Sequence, residues 1–412
     1  MMNRINHHVH TTEYLNKNQH GFRPQASTID SVKALIDYVE EGFSSGEVTV
    51  LVSLDVEGAF NSAWWPSILK SLNDSGCPRN LHNVTKSFLS KRWTTLQTNN
   101  IKVEAEITRG RPQGTCCGPG FWSIFYNSLL NLNFTHRTKC IAFADDLILA
   151  TRGKSVIGAE NISNSELTKI SAWATANKIR FNEQKSNIML LSRRKRKERK
   201  DLEMYLNFRP LTQVISLKNL GIIIDTKLTF RKHINYIKEK CSKLIFALSR
   251  SAKINWGLSY NALKSIYTGA ILSFLLCGAP IWINALSKAC YRTKFTRVQR
   301  LINIRISKSY LTVSNEALCM ITGLTPIDIK IEETTRLFQI TKGNIKDEVQ
   351  FDHDTRTKHW LHPAISFTIL DDCKEDDSTI QIYTDGSKNE QGVGAGLPYL
   401  LLVNTPLAYN TG

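Results

Sequence analysis

The sequence predicts an α+β chain built from more than one unit, and three observations carry that prediction. A chain of 412 residues with 42% hydrophobic content is long and apolar enough to bury more than one core. Its first half alternates short apolar, β-branched runs with amphipathic stretches. From Ile234 to about Ile340 the pattern becomes mainly helical, before a fresh strand and Gly-rich turn near the end.

Residues 29–42 set Ile29, Val32, Leu35, Ile36 and Val39 on one helical face that ends at Gly42. Val48, Val50, Leu51, Val52 and Leu54 then form a run suited to a strand buried on both sides. Asp55 stands near the end of that strand, where a carboxylate is costly unless paired or metal-bound. A helix is expected from about Pro66, and residues 92–108 read as a hairpin turning at Asn99-Asn100. RGRPQGTCCGPG reads as a loop and FWSIFYNSLLNL as a helix; KCIAFADDLILATRG reads as a strand pair broken by two aspartates. A helix over 165–180 and a strand from Lys185 to Leu191 follow. SLKNLGIIIDTKLTF reads as two short strands.

The net charge of +17 favours an anionic partner, either nucleic acid or an acidic membrane face. The excess lies before about residue 330, and beyond it acidic residues outnumber basic ones. Nine scattered cysteines, with no paired CxxC and no zinc-finger spacing, argue against a disulfide scaffold and for a reduced, intracellular protein. The opening MMNRINHHVHTTEY lacks the apolar core of a signal peptide. Gly269–Ile283 falls short of the roughly 20 residues a spanning helix needs, and Pro280 interrupts it, so a buried helix is expected and no membrane partner.

Phosphoryl transfer needs metal-bound oxygens more than covalent chemistry, and two divalent ions held by carboxylates meet that need. Asp55 ends one apolar strand and Asp145-Asp146 interrupt another, so two strands would deliver aspartates to one point. The alternative is that FADD simply marks a hairpin turn. Alternation along a strand sends neighbouring side chains to opposite faces, which favours Asp145 over Asp146 as primary ligand.

Six segments follow one another along the chain: QHGFRPQAST, SLDVEGAFNSAWW, TRGRPQGTCCGPGFWSIFYNSLL, IAFADDLIL, AWATANKIRFNEQKSNIMLL and LKNLGIIIDTKLTFRKHI. In that order they resemble the reverse transcriptases of non-long-terminal-repeat retrotransposons, of the Jockey and I-element kind. The likeness runs over roughly residues 15–340. It implies a right-hand polymerase, with fingers and palm over 1–232 and a helical thumb and connection over 233–345. A linker over 346–378 and a truncated ribonuclease H-like start over 379–412 would follow.

Residue by residue, the resemblance implies that Asp55 and Asp145 hold metal, with Asp146 beside them and the Val56 carbonyl assisting. Two Mg²⁺ are implied, with Mn²⁺ as a substitute. Phe60 occupies the position of a steric gate against the 2′-hydroxyl, or else is a core aromatic. Gln113 and Gly114 would lie along the incoming nucleotide and template base, or else form a turn. Arg23 would contact the triphosphate, since a guanidinium fork suits phosphate oxygens, or else is a surface arginine. Lys185 would protonate the leaving pyrophosphate, or else is a solvated lysine. The implied partners are an RNA template, a DNA primer, dNTPs and the element RNA in a ribonucleoprotein of nucleus and cytoplasm.

AFN with Asn61 stands where many such enzymes have AFD. The first fingers segment and an endonuclease domain are expected to be missing ahead of residue 1. IYTDGS would supply Asp385 as a first ribonuclease H carboxylate, on too short a remainder to close that fold. RRKRKERK reads as a nuclear signal, a nucleic-acid contact or a solvated tip. Trp64 and Trp65 are expected to pack on the palm. Two rival readings are an inactive remnant that only grips nucleic acid, and an RNA-templated RNA polymerase, against which Phe60 speaks.

Overall fold

The computed structural model describes residues 1–97, 102–110, 115–194, 201–249, 257–342, 386–389 and 392–395. The chain divides into two units, residues 1–360 and 361–412. In the second, the described residues form two short antiparallel strands, Gly386–Asn389 and Gly392–Ala395, while Asp385 lies outside the described residues.

The first unit opens with helix α1 (Met2–Thr11), which sequence reading left unassigned; Met2, Ile5 and Val9 bury one face of it. Helix α2 (Thr28–Ser44) begins with a reciprocal cap between Ser27 and Asp30, and buries Val32, Leu35, Ile36 and Val39. It runs two residues past the expected stop at Gly42.

Strand β1 (Val48–Val56) is followed by a short helical turn α3 (Ala59–Ser62) and by α4 (Trp65–Asp74), which has Pro66 in its first turn, where a missing N–H costs nothing. Next come α5 (Arg79–Leu89) and the hairpin of β2 (Arg92–Gln97) with β3 (Lys102–Ile107). Helix α6 (Cys117–Leu130) starts at Cys117, so the CGPG expected in a loop forms its first turn instead. Strands β4 (Thr138–Phe143) and β5 (Asp146–Gly153) pair antiparallel.

Helix α7 spans Val156–Ala176, not 165–180. Ser155 caps it by accepting the Gly158 N–H, and the buried polar residues Glu160, Ser163 and Glu166 blur its apolar stripe in the sequence. Strand β6 (Phe181–Leu191) also starts earlier than expected, because it carries a bulge that interrupts its pattern.

The central sheet has the order β4-β5-β1-β6, with the short strand Thr212–Gln213 added parallel to β6. β1 lies in the middle and both faces are covered. Val48, Val50, Val52 and Leu54 join a core with α1, α4, α6 and α7. Leu51 joins another with α2 and the helices beyond residue 230. Two-sided burial explains the consecutive Val50, Leu51 and Val52 at the centre of β1.

Helix α8 (Arg231–Ser249) packs Ile234, Ile237, Cys241 and Ile245 into the second core. Later helices Ala289–Ser307 and Ile327–Thr341 share that core, where Trp282 stacks on Phe295 at 5.1 Å. Tyr260–Ser287 is long and apolar enough by length and composition to cross a membrane. The single helix expected there is segmented: a π-helical turn spans Tyr267–Ile271, and Gly278 breaks the run at φ +65°. Leu263, Tyr267, Ile271, Leu275 and Trp282 from this stretch enter the second core.

Candidate active site

Asp55, Asp145 and Asp146 meet at one end of the central sheet. β1 pairs antiparallel with β5 from Val48 opposite Gly153 to Leu54 opposite Leu147. Carrying that register one residue further sets Asp55 against Asp146. Directly opposed residues project from the same face of a sheet. Alternation therefore does not turn Asp146 away from Asp55, contrary to the expectation that ranked it behind Asp145. Asp145 lies in the hairpin turn between β4 and β5, outside either strand, so strand alternation does not govern it. The turn reading of FADD and the shared-carboxylate reading are therefore compatible.

The three charges sense one another. The Asp146 carboxyl is pushed above the usual carboxylate range, first by burial and then by the negative charges of Asp145 and Asp55. Beneath them, the fully buried Tyr126 phenol is held far above its ordinary value by burial, with Cys140, Asp145 and Asp146 adding to the effect.

Three contacts hold the turn from behind. Gln19 bridges Ala142 in parallel, with His20 N–H donating to the Ala142 carbonyl at 2.9 Å and Ala142 N–H to that of Asn18 at 3.0 Å. Trp122 Nε1 donates to the Ala144 carbonyl at 2.9 Å. Ala144 itself adopts φ +56°, a left-handed conformation that costs a non-glycine residue energy unless its surroundings impose it. Gly21 supplies the third contact, backbone against backbone: a Cβ there would fall 2.1 Å from the Ala144 nitrogen.

The Lys185 side is built by the bulge in β6. From Ser53 to Asp55, β1 advances two residues while its partners on β6 run from Asn187 to Asn182. The surplus loops out Glu183 to Ser186. Asn182 Oδ1 accepts the N–H groups of Gln184 and Lys185, both at 3.1 Å. Ser186 Oγ, fully buried, donates to the Asn182 carbonyl at 2.7 Å and accepts the Asp55 N–H at 3.2 Å. This brings Lys185 Nζ to 3.9 Å from Asp55 Oδ2, both side chains being well exposed to solvent.

The loop after β3 docks onto the segment after β1. Gly110, at φ +91°, donates its N–H to Ala63 O at 2.7 Å, and a Cβ there would meet the Asn61 carbonyl at 3.1 Å. Trp65 Nε1 donates to the Gly110 carbonyl at 2.6 Å, and its ring is buried in the core it shares with β1, α4 and α6.

The remaining expected residues divide. Val56 closes β1 opposite Phe181. Phe60 lies in α3, but its side chain is outside the described residues, as are Gln113, Gly114 and positions 195–200 of the RRKRKERK run. Arg23 donates to the Asn16 carbonyl at 3.3 Å. Sequence reasoning missed Gly21, Trp122, Asn182 and Ser186. Each lay within a quoted segment, but only the fold shows what it touches.

Among the described residues, no group of three His, Cys, Asp or Glu side chains is already gathered closely enough to hold a metal ion. The donor chemistry still fits a hard divalent cation, because all three groups offer oxygen and their mutual repulsion is what such an ion relieves.

A family model described as reverse transcriptase (RNA-dependent DNA polymerase) matches residues 1–224. A putative 115 kDa protein of the type-1 retrotransposable element R1DM of Drosophila melanogaster is 28% identical over 325 residues, covering 79% of this chain and 31% of that protein. The RNA-directed DNA polymerase from the mobile element jockey of the same species is 28% identical over 277 residues, covering 65% and 30%. The chain thus spans about a third of the length of these curated relatives. A telomerase from Candida tropicalis in complex with a fragment of telomeric RNA aligns at TM-score 0.45 and 11% identity, over 82% of this chain and 54% of that one, a likeness too loose to carry an argument.

Proposed function

Because this chain belongs to the reverse transcriptase (RNA-dependent DNA polymerase) family, we propose that it extends a primer 3′-hydroxyl with dNTPs on an RNA template, as part of a retrotransposon protein. The observation that carries this reading is the meeting of Asp55, Asp145 and Asp146 at one sheet end with Lys185 beside Asp55.

Reverse transcriptases are generally divalent-metal dependent, and Mg²⁺ is the ion we assign here, with Mn²⁺ as a substitute. Asp55 and Asp145 would hold it, with Asp146 alongside and the Val56 carbonyl assisting. When bound, such ions supply Lewis-acid activation of the attacking hydroxyl and neutralise phosphate charge.

The chain's own groups do the rest. Asp146, whose carboxyl pKa is raised by burial and by the charges of Asp145 and Asp55, is the group of the three whose ionisation a bound cation would ease most. Lys185 is the neighbouring cation at Asp55, and we assign to its Nζ the proton that passes to a leaving-phosphate oxygen. Ser186 and Asn182 fix the backbone that carries it. We assign Arg23, Phe60, Gln113 and Gly114 to the incoming nucleotide, Phe60 as the gate against a 2′-hydroxyl. The setting we propose is an element RNA–protein particle of nucleus and cytoplasm.

Primer extension on poly(rA)/oligo(dT) with Mg²⁺ tests the reading. Wild-type protein should incorporate dTTP and Asp145→Asn should not. Equal incorporation by the two would remove the assignment.

A further inference from the structure

We propose that a cleft beside the carboxylates binds one single strand of nucleic acid, at a site separate from the primer–template end on which Asp55 and Asp145 would act. The cleft has a volume of about 810 Å³ and is formed by the end of α7, the start of β6, Glu57 after β1, Arg109 after β3 and the tip of a small hairpin. That hairpin pairs Tyr205–Leu206 with Arg209–Pro210.

Arg109, Lys178, Arg180 and Arg209 line the cleft against only two carboxylates, Glu57 and Glu183. The segments that carry these cations are tied to one another. Lys178 Nζ lies 4.2 Å above the Trp64 ring, and Trp64 in turn bridges Arg109. Glu57 N–H donates to the Arg180 carbonyl at 2.8 Å. Asn207 Nδ2 donates to Glu183 Oε1 at 3.0 Å, which ties the hairpin tip to the β6 bulge. This hydrogen bond, with Arg209 and Arg180 nearby, keeps the Glu183 carboxyl below its usual range.

Between Asn207 and Arg209 stands Phe208. Both Asn207 and Phe208 are left-handed, at φ +50° and +63°, and the Phe208 ring is 101% exposed. A phenyl ring held in water at the tip of a turn, flanked by an arginine on a basic cleft, is the pairing that binds single strands: phosphates follow the cations and a base stacks on the ring.

Charge decides the class of occupant, and layout decides its length. The four cations come from three segments of an open cleft: Arg109 after β3, Lys178 and Arg180 between α7 and β6, and Arg209 on the small hairpin. A chain of phosphates matches that spread.

The test is fluorescence anisotropy of the full chain with labelled 20-nucleotide oligo(rA) and oligo(dA) across a salt series. The comparison is among wild type, Phe208→Ala and the double variant Lys178→Gln/Arg209→Gln. The double variant should weaken binding and lower the slope of log K against log salt by about 1.4, the contribution of two phosphate contacts to a single strand. Phe208→Ala should weaken binding about fivefold or more with the slope unchanged, as expected for one lost stack. Whichever oligonucleotide shows the larger losses identifies the strand as RNA or DNA.

Wild-type affinity and slope in both variants would overturn the proposal. It would also fall if the double variant lost only its binding of inorganic tripolyphosphate, which would mark a small-anion site. Primer extension is read separately on a short primer–template. Variant-sensitive strand binding by a chain that extends no primer would support this site while removing the polymerase reading.

Discussion

A Cβ atom on Gly21 would stand 2.1 Å from the Ala144 nitrogen and 2.8 Å from its Cα, so two backbones touch directly behind the turn that carries Asp145. No rotamer change relieves such a contact, because the atoms met are main chain. The Trp122 hydrogen bond to the Ala144 carbonyl closes the turn from another side. Asp145 and Asp146 therefore stand on or beside a turn whose position is set by uncharged residues.

Gly21→Ala should push the turn away from Asp55. Overpacking of this kind costs about 1–3 kcal/mol of stability, and misplacement of reacting groups by about 1 Å costs on the order of a hundredfold in rate. Urea unfolding and primer extension measure the two effects. Wild-type extension by this variant would show that the turn tolerates displacement.

Asp146→Asn should raise the thermal midpoint in metal-free buffer. A raised carboxyl pKa means the folded chain holds its proton more tightly than the unfolded chain. Its contribution to stability therefore falls as pH rises through the carboxylate range towards the folded value. Millimolar Mg²⁺ should raise the wild-type midpoint and shrink the advantage of the variant. Scanning calorimetry with and without Mg²⁺ reads both, and an unchanged midpoint under all four conditions would contradict the shared-charge account.

Ser186→Ala should cost about 1–3 kcal/mol, because it leaves the Asp55 N–H without its buried acceptor. If the bulge also positions Lys185, kcat for extension should fall while KM for dNTP stays near wild type. Loss of stability with unchanged kcat would confine Ser186 to a structural role.

His233 sets an acid limit on the second core. It is 1% exposed, and burial pushes its pKa down from 6.5 to about 4. Its Nδ1 accepts the Ile223 N–H at 3.4 Å, which requires the neutral ring. Below pH 6.5 the unfolded chain takes up a proton that the folded chain refuses, so stability should fall until about pH 4, by on the order of 3 kcal/mol. Denaturant titrations from pH 7.5 to 4.5 should show this slope in wild type and a flatter one in His233→Leu. Equal slopes would remove His233 as the cause.

The parts of the fold legible in the sequence were those where one periodicity dominated. β1 was readable because burial on both faces gathers Val48, Val50, Leu51, Val52 and Leu54 within seven residues, and α2 because its stripe is clean. Helix α7 was misplaced because Glu160, Ser163 and Glu166 are buried polar residues on its inner face; Glu166 is satisfied by its i+3 neighbour Lys169 and by the Thr135 N–H, 31 residues away. β6 was shortened because a bulge resets the alternation on which strand reading depends. In the site, the carboxylates and Lys185 stood out as residue types. Their ranking depended on register across β1 and β5, which no local pattern contains.

The strut behind Ala144 also sets an order of assembly. Residues 18 to 21 meet the turn at 142–144 across more than 100 positions of chain, and Trp122 meets it across 22. Long-range closures of this kind form late, after local helices and hairpins are in place. During synthesis the turn cannot take its final position until all three segments have emerged, although Gly21 is available from the start. A fragment cut just after residue 21 would keep every acidic residue of the site and still lose the surface that holds two of them in place.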